Sequence, residues 1–151
     1  MINSHKELVS EIENFVDKFE FINEFKYIKD AEKLFDEIDN VKSKTLIIGL
    51  DSIDFDDAEY NVRTTYRFMI AESVLNTVEQ IIDAETSSMF CLSALGDYLN
   101  YVQDAPVDFN GVTFINETDE ESCFSTVSGS FEFVIKRSAS YWKKMEAYSV
   151  T

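Results

Sequence analysis

Residues 60–70 read YNVRTTYRFMI and form the longest alternating stretch in the chain. Apolar or β-branched side chains occupy every second position: Tyr60, Val62, Thr64, Tyr66, Phe68 and Ile70. Polar side chains lie between most of them: Asn61, Arg63, Thr65 and Arg67. A period of two that is sustained over eleven residues predicts a β-strand with one face in the core.

Three further strands are predicted around this one. Residues 45–50, TLIIGL, are a short β-branched run typical of a buried strand, and we expect an acidic loop at residues 51–57. Nearer the C-terminus, Val112 and Phe114 alternate with Thr113 and Ile115, and residues 119–121 form a polar turn. Beyond that turn, small or apolar residues take every second position of a long strand: Cys123, Ser125, Val127, Gly129, Phe131, Phe133 and Ile135.

The N-terminal part of the chain has helical spacing instead. Apolar side chains recur at steps of four and three residues: Leu8, Ile12, Phe15, Phe19 and Ile22. This spacing places them on one helix face, and Ser4 with Glu7 predicts a capping box at the helix start. Asp30 is expected to cap a second, short helix that contains Leu34, Phe35 and Ile38. Residues 25–28, between the two helices, suit either a short strand or continued helix.

Residues 73–104 return to helical spacing, in two predicted segments. The first segment carries Val74, Val78, Ile81 and Ile82. The second segment, which residues 86–88 are expected to cap, carries Met89, Leu92, Leu95, Leu99 and Val102. Pro106 follows, at a position where a helix is expected to have ended.

The predicted elements follow the order α(α)ββαββ plus a C-terminal tail. Two strand pairs separated by a helix favour an α+β fold, with an antiparallel sheet of about four strands flanked by helices. We expect one domain over residues 1–137 and an interaction tail over residues 138–151. The chain has 151 residues, of which 45% are hydrophobic, so it can bury a core. We expect neither a secretory signal nor a membrane span.

The charge distribution excludes several classes of partner. The formal net charge is −16, and residues 68–135 hold twelve acidic residues and no basic one. Residues 136–151 hold four basic residues and one acidic residue. Because an acidic surface repels phosphate, we expect neither sequence-specific nucleic-acid binding nor binding to an anionic membrane.

Candidate catalytic groups are few. His5 is the only histidine, and we expect it to be an exposed residue at a helix N-terminus. Cys91 and Cys123 are expected to be small core residues, because residues 68–135 supply no positive charge that would activate a thiolate. The acidic loop lacks the spacing of a calcium-binding loop, and the isolated glycines form no phosphate-binding loop. The sequence therefore predicts a protein that is not an enzyme and has no cofactor and no metal.

Basic and aromatic side chains concentrate near the C-terminus: Lys136, Arg137, Tyr141, Trp142, Lys143, Lys144, Met145 and Tyr148. Aromatic residues, Arg and Met are enriched at protein interfaces, so these residues are candidate inter-subunit contacts. Packing of the same residues on their own domain is an equal alternative. A basic tail and an acidic body can join copies head to tail, and such contacts can close into rings.

Two stretches are similar to a virion protein of crAss-like phages: SALGDYLNYV at residues 93–102 and GSFEFVIKRSASYWKKMEAY at residues 129–148. The order of elements also resembles the tail-terminator-like fold of bacteriophage neck and tail ring proteins. The resemblance implies a structural subunit of a ring of six or twelve copies through which DNA passes at ejection. It implies that the protein has no active site. It also implies that portal, neck or tail proteins are the partners, and that the protein is made in the host cytoplasm and located in the virion.

Two other classes of protein stay open. A small acidic protein can imitate the phosphate backbone and inhibit a host DNA-binding protein. The acidic stretch 68–135 favours this class, whereas the basic residues from Lys136 to Lys144 argue against it. A small metal-dependent hydrolase would use the acidic loop 51–57, but the chain has no second histidine and no nucleophile motif.

Overall fold

The computed structural model describes residues 2–56, 61–102, 105–119 and 121–136. The elements in chain order are helix α1 (His5–Lys18), strand β1 (Glu24–Ile28), a 3₁₀ helix (Ala31–Asn40), strands β2 (Thr45–Asp56) and β3 (Asn61–Leu75), helix α2 (Val78–Asp97), a π-helical turn (Tyr98–Val102), and strands β4 (Asp108–Asp119) and β5 (Ser122–Lys136). The predicted tail at residues 138–151 lies outside the described residues.

The strands form one five-stranded sheet in the order β1-β2-β3-β5-β4. Strand β1 runs parallel to β2, and all other neighbours are antiparallel. The α+β class is confirmed, but the prediction of about four antiparallel strands was wrong, because the sheet is mixed. Strand β1 carries no alternating pattern: it is five residues long, and only Ile28 is fully buried.

The two long alternating stretches pair with each other at the centre of the sheet. Strands β3 and β5 stay in unbroken antiparallel register from Asn61 opposite Lys136 to Leu75 opposite Ser122. Within the described residues the predicted buried positions of both strands are buried or half-buried, while Arg63 and Arg67 are exposed. Tyr60, the first residue of the predicted pattern, lies outside the described residues.

The predicted acidic loop at residues 51–57 was wrong for residues 51–56, which continue strand β2. These residues pair with β3 as far as Asp56 opposite Asn61, after a register shift between Leu50 and Ser52. Pairing with β3 satisfies the backbone hydrogen-bonding groups of this segment, so it is a strand in spite of its composition. The strand is exposed here, and its acidic side chains alternate with Ile53 and Phe55. Residue 57 lies outside the described residues.

Helices pack against both faces of the sheet. Helices α1 and α2 bury the larger face, which includes Leu46, Ile48, Tyr66, Phe68, Ile70, Val127 and Phe131. The 3₁₀ helix covers part of the other face, where its Leu34 and Ile38 pack with Ile47 and Met69. Burial on both faces explains why the run at residues 46–48 is continuously apolar.

Helix starts follow the predicted caps in two cases. Ser4 Oγ accepts a hydrogen bond from the Glu7 amide at 3.1 Å, and Asp30 Oδ1 accepts one from the Glu32 amide at 3.1 Å. The predicted division of residues 73–104 was wrong, because α2 is continuous and Val74 belongs to β3. Thr86, expected to begin a second helix, donates instead to the Ile82 carbonyl one turn earlier at 2.8 Å.

Candidate functional site: an apolar groove between helix α2 and strand β4

An open groove of about 350 Å³ lies between α2 and the edge strand β4. The helix contributes Met89, Leu92 and Gly96, and the strand contributes Phe109, Val112 and Phe114, with Ser93, Asp97 and Asn100 completing the lining. Two of these apolar side chains are open to solvent, since Met89 is 56% exposed and Val112 is 40% exposed. The groove is therefore an apolar surface that the described part of the chain leaves uncovered.

Glycine lets the helix approach the strand at one end of the groove. A Cβ on Gly96 would lie 3.0 Å from Cε2 of Phe109. Phe109 pairs in register with Phe131 and meets its ring edge-on at 5.8 Å, which fixes the floor of the groove. A larger residue at position 96 would force the helix and the Phe109 ring apart.

An irregularity in β4 shapes the other wall. The register with β5 shifts between Asn110 and Thr113. Gly111, within this bulge, has a φ of +61°, a conformation that glycine adopts without steric cost. Because of the bulge, Phe109 and Val112 both line the groove although they are three residues apart, a spacing that regular alternation would place on opposite faces.

Hydrogen bonds hold the π-helical turn at the end of the groove. Asn100 Oδ1 accepts from the Val107 amide at 2.8 Å, and the Ala105 amide donates to the Leu99 carbonyl at 2.7 Å. Leu99 itself is fully buried. These bonds tie the chain that leaves α2 to the start of β4, so the two walls of the groove are held together.

The lining of the groove includes one acidic side chain, Asp97, and no basic one. The sequence from residue 68 to residue 135, which provides α2 and β4, also contains no lysine or arginine. An apolar lining that carries a carboxylate suits a partner that combines apolar or aromatic side chains with positive charge.

A buried lysine joins the sheet to α2 away from the groove. Lys44 is 4% exposed, and its Nζ lies 2.9 Å from Glu72 Oε1 on β3. The same Nζ donates to Ser88 Oγ at 3.0 Å and to the Ala84 carbonyl at 3.3 Å. Three acceptors match the three donors of the ammonium group, so this cluster anchors α2 to the sheet and presents no open site.

Both cysteines are free and buried, as the sequence predicts. The positive charge of Lys44, which is distant in sequence, lies close enough to favour the Cys91 thiolate. The effect of burial is larger than that of Lys44, so the pKa of the Cys91 thiol is raised. Burial, together with Glu85, also raises the pKa of Cys123. Neither thiol is activated as a nucleophile at neutral pH.

His5 is half-buried between two tyrosines, so the prediction of a simply exposed residue was wrong. Its Nδ1 lies 2.7 Å from the Tyr66 hydroxyl, and its Nε2 lies 3.3 Å from the Tyr27 hydroxyl. The ring also stacks on Tyr66 with centroids 5.5 Å apart. A neutral imidazole donates at one nitrogen and accepts at the other, so it satisfies both contacts. Burial raises the pKa of Tyr66 to about 12, so this hydroxyl keeps its proton.

We expect His5 to titrate at a lower pH in the folded chain than in the unfolded chain. Burial lowers the pKa of His5 below its usual 6.5. The unfolded chain therefore takes up a proton first as the pH falls, and the stability that neutral His5 contributes is complete above pH 6.5 and declines below it. Because His5 is the only histidine, its ring proton resonance gives the midpoint directly by NMR titration. The chain in urea is the control, and a folded midpoint at or above the urea value would contradict this prediction.

Of the predicted interface residues, only Lys136 belongs to the described part of the chain, and its backbone ends β5 opposite Asn61. The remaining seven residues lie outside the described residues: Arg137, Tyr141, Trp142, Lys143, Lys144, Met145 and Tyr148. Within the described ranges, no cluster of three metal-ligating side chains occurs, and no helix is long and apolar enough to cross a bilayer.

The groove was missed in the sequence, although two signals pointed to it. Gly96 directly follows Leu95 on the apolar side of the predicted helix, and Phe109 is an aromatic residue shortly after Pro106, the only proline of the chain. The sequence matches no protein-family model, and a search of curated proteins returns no match. The function proposed below therefore depends on the residues of this chain.

Proposed function

We propose that this chain is a structural, non-catalytic subunit of an oligomeric ring in the neck or tail of a tailed bacteriophage, with DNA passing through the ring. The observation that carries the proposal is the apolar groove between α2 and the edge strand β4, which the described residues leave open and which carries the carboxylate of Asp97. An apolar surface of this kind marks an interaction site. The resemblance of residues 93–102 and 129–148 to a virion protein of crAss-like phages supplies the kind of assembly.

The geometry of the sheet supports a head-to-tail arrangement. Strands β1 and β4 form opposite edges of the sheet and differ in length, direction of pairing and sequence. A subunit with two unlike edges favours heterologous contacts, and these close into a ring when the rotation between copies permits. The portal, neck or tail proteins would be the neighbours of such a ring.

The charge distribution supports the passage of DNA. Residues 68–135 provide acidic side chains on α2, β4 and β5 with no basic residue among them. A channel wall of this composition repels phosphate, so DNA slides along it without binding. The same argument agrees with the expectation that the protein does not recognise a nucleic-acid sequence.

The test is the assembly state of the purified full chain. Negative-stain electron microscopy and native mass spectrometry at tens of micromolar should show rings of six or twelve copies. A truncated chain that lacks residues 138–151 is the matched control. It should keep its far-UV circular dichroism spectrum but should not form rings. A full chain that stays monomeric at the highest attainable concentration would contradict the ring. Normal rings from the shortened chain would contradict the role of the tail.

A second candidate function is that of an acidic DNA mimic that inhibits a host DNA-binding protein. The observation that favours it is the absence of any basic residue from positions 68–135. This function predicts that the protein captures a DNA-binding protein from host lysate and that DNA and salt both release it. Rings in the microscope together with a lysate capture that finds no DNA-binding protein would eliminate it.

A further inference from the structure

We infer that the groove between α2 and β4 is the receptor for residues 137–151 of a second copy of this chain. The inference rests on the proposed ring, and it identifies which surface of one copy receives which segment of the next. Its evidence is the chemical match between groove and segment, the place where β5 ends, and the residue types beyond that end.

The segment and the groove are chemically complementary. Residues 137–151 hold three basic side chains and one acidic one, with Tyr141, Trp142 and Tyr148 among them. The groove offers an apolar lining that includes Leu92, Phe109 and Phe114, together with the carboxylate of Asp97. Aromatic side chains anchored in an apolar pocket often supply most of the binding energy of a protein interface, and complementary charges add specificity.

The size of the groove suits side-chain anchors. Its volume of about 350 Å³ is near the lower end of the range of small-molecule sites, roughly 300–1,000 Å³. Such a volume accepts anchoring side chains, whereas a whole helix would need a longer trough. Met89 on the exposed wall is unbranched and polarizable, so it can adjust to an aromatic ring.

Strand β5 ends beyond the groove. Lys136 ends the strand opposite Asn61, and Phe131, which pairs with the groove residue Phe109, lies five residues earlier, about 17 Å back along the strand. Fifteen residues follow Lys136, and a chain of this length spans at most about 50 Å when fully extended. The segment is therefore long enough to leave its own copy, and in the proposed ring it would meet a neighbouring one.

Photo-crosslinking in the full chain tests both the site and the source of the segment. Trp142 is replaced by benzoylphenylalanine, and copies labelled with ¹⁵N are mixed with unlabelled copies before irradiation. We expect crosslinked peptides that contain Met89, Phe109 or Phe114, with one partner labelled and the other unlabelled. Crosslinks only within single-label species would overturn the second-copy assignment. Crosslinks to another surface, or none, would overturn the groove.

A pair of matched variants tests the groove by assembly. Met89 and Ile82 lie on the same helix and are 56% and 53% exposed, but only Met89 lines the groove. Met89→Lys should weaken assembly about tenfold or more, because it removes an apolar contact and repels a basic segment. Ile82→Lys should leave assembly unchanged. Equal effects of the two variants would contradict the inference.

A separate arm distinguishes failure of this inference from failure of the ring. A synthetic peptide of residues 137–151 that carries benzoylphenylalanine at position 142 is added to the full chain. Labelling of the groove by the peptide in a chain that forms no rings would refute the ring and retain the docking site. Rings whose groove the peptide does not label, and whose tail crosslinks elsewhere, would refute the docking site and retain the ring.

Discussion

Replacing Glu72 with glutamine will lower the free energy of unfolding by about 3–5 kcal/mol, the cost typical of breaking a buried ion pair. Lys44 is 4% exposed and its partner Glu72 is 21% exposed, so the variant leaves a charged ammonium group in the interior with neutral acceptors. Ser88 and the Ala84 carbonyl continue to accept its hydrogen bonds, but they do not replace the lost negative charge. The measurement is urea denaturation followed by far-UV circular dichroism.

The exposed pair Lys26–Glu37 provides the matched control. Both of its side chains reach solvent, with exposed fractions of 49% and 24%. The same Glu→Gln change at residue 37 should cost less than about 1 kcal/mol, because water screens a surface pair. The double variant Lys44→Met with Glu72→Leu should recover most of the loss at residue 72, since apolar residues of similar volume satisfy a buried ion-pair site. Equal losses of unfolding free energy in Glu72→Gln and Glu37→Gln would contradict the prediction, because they would show that water screens the Lys44–Glu72 pair as it screens the surface pair.

The central strands were predictable because burial on one face imposes a period of two. Tyr66 and Phe131 face each other across β3 and β5, and both point toward the helices. Each strand therefore carries the pattern in its own sequence, without information from the rest of the chain. The same is true of α1, whose cap at Ser4 and apolar face are local signals.

Elements that depend on distant partners were not predictable in this way. Strand β1 has a mostly exposed surface, and it is a strand because its backbone pairs with β2. The acidic residues 51–56 have the composition of a loop, but β3 provides hydrogen-bond partners, and Asp51 also pairs with Arg67 at 3.3 Å. In both cases tertiary pairing overrides local preference.

The same distinction applies to the sites. Lys44 precedes a buried strand, and nothing near it in sequence indicates Glu72 or Ser88, which lie on β3 and α2. The groove combines residues of α2 with residues of β4, so neither segment alone reveals it. Charge, in contrast, is additive along the chain. The contrast between an acidic body and a basic C-terminal segment was therefore visible in the sequence and remains the basis of the proposed assembly.

Replacing Phe131 with alanine will cost about 3–5 kcal/mol of unfolding free energy, as is typical when a buried aromatic ring is removed. Phe131 is fully buried. Its ring stacks on Tyr66 with centroids 5.0 Å apart and lies edge-on to Phe109 at 5.8 Å. Aromatic pairs add about 0.5–1.5 kcal/mol beyond the area that they bury, so the loss should lie toward the upper end of the range.

Phe35→Ala is the control for this prediction, and Phe131→Leu is the graded variant. Phe35 is 45% exposed on the 3₁₀ helix, so its truncation should cost no more than about 1 kcal/mol. Phe131→Leu keeps most of the volume and should cost roughly 1–2 kcal/mol. A small effect of Phe131→Ala would mean that the neighbouring rings close the cavity. The Phe109 ring would then have moved from the floor of the groove, and peptide labelling of the groove should fall in the same variant.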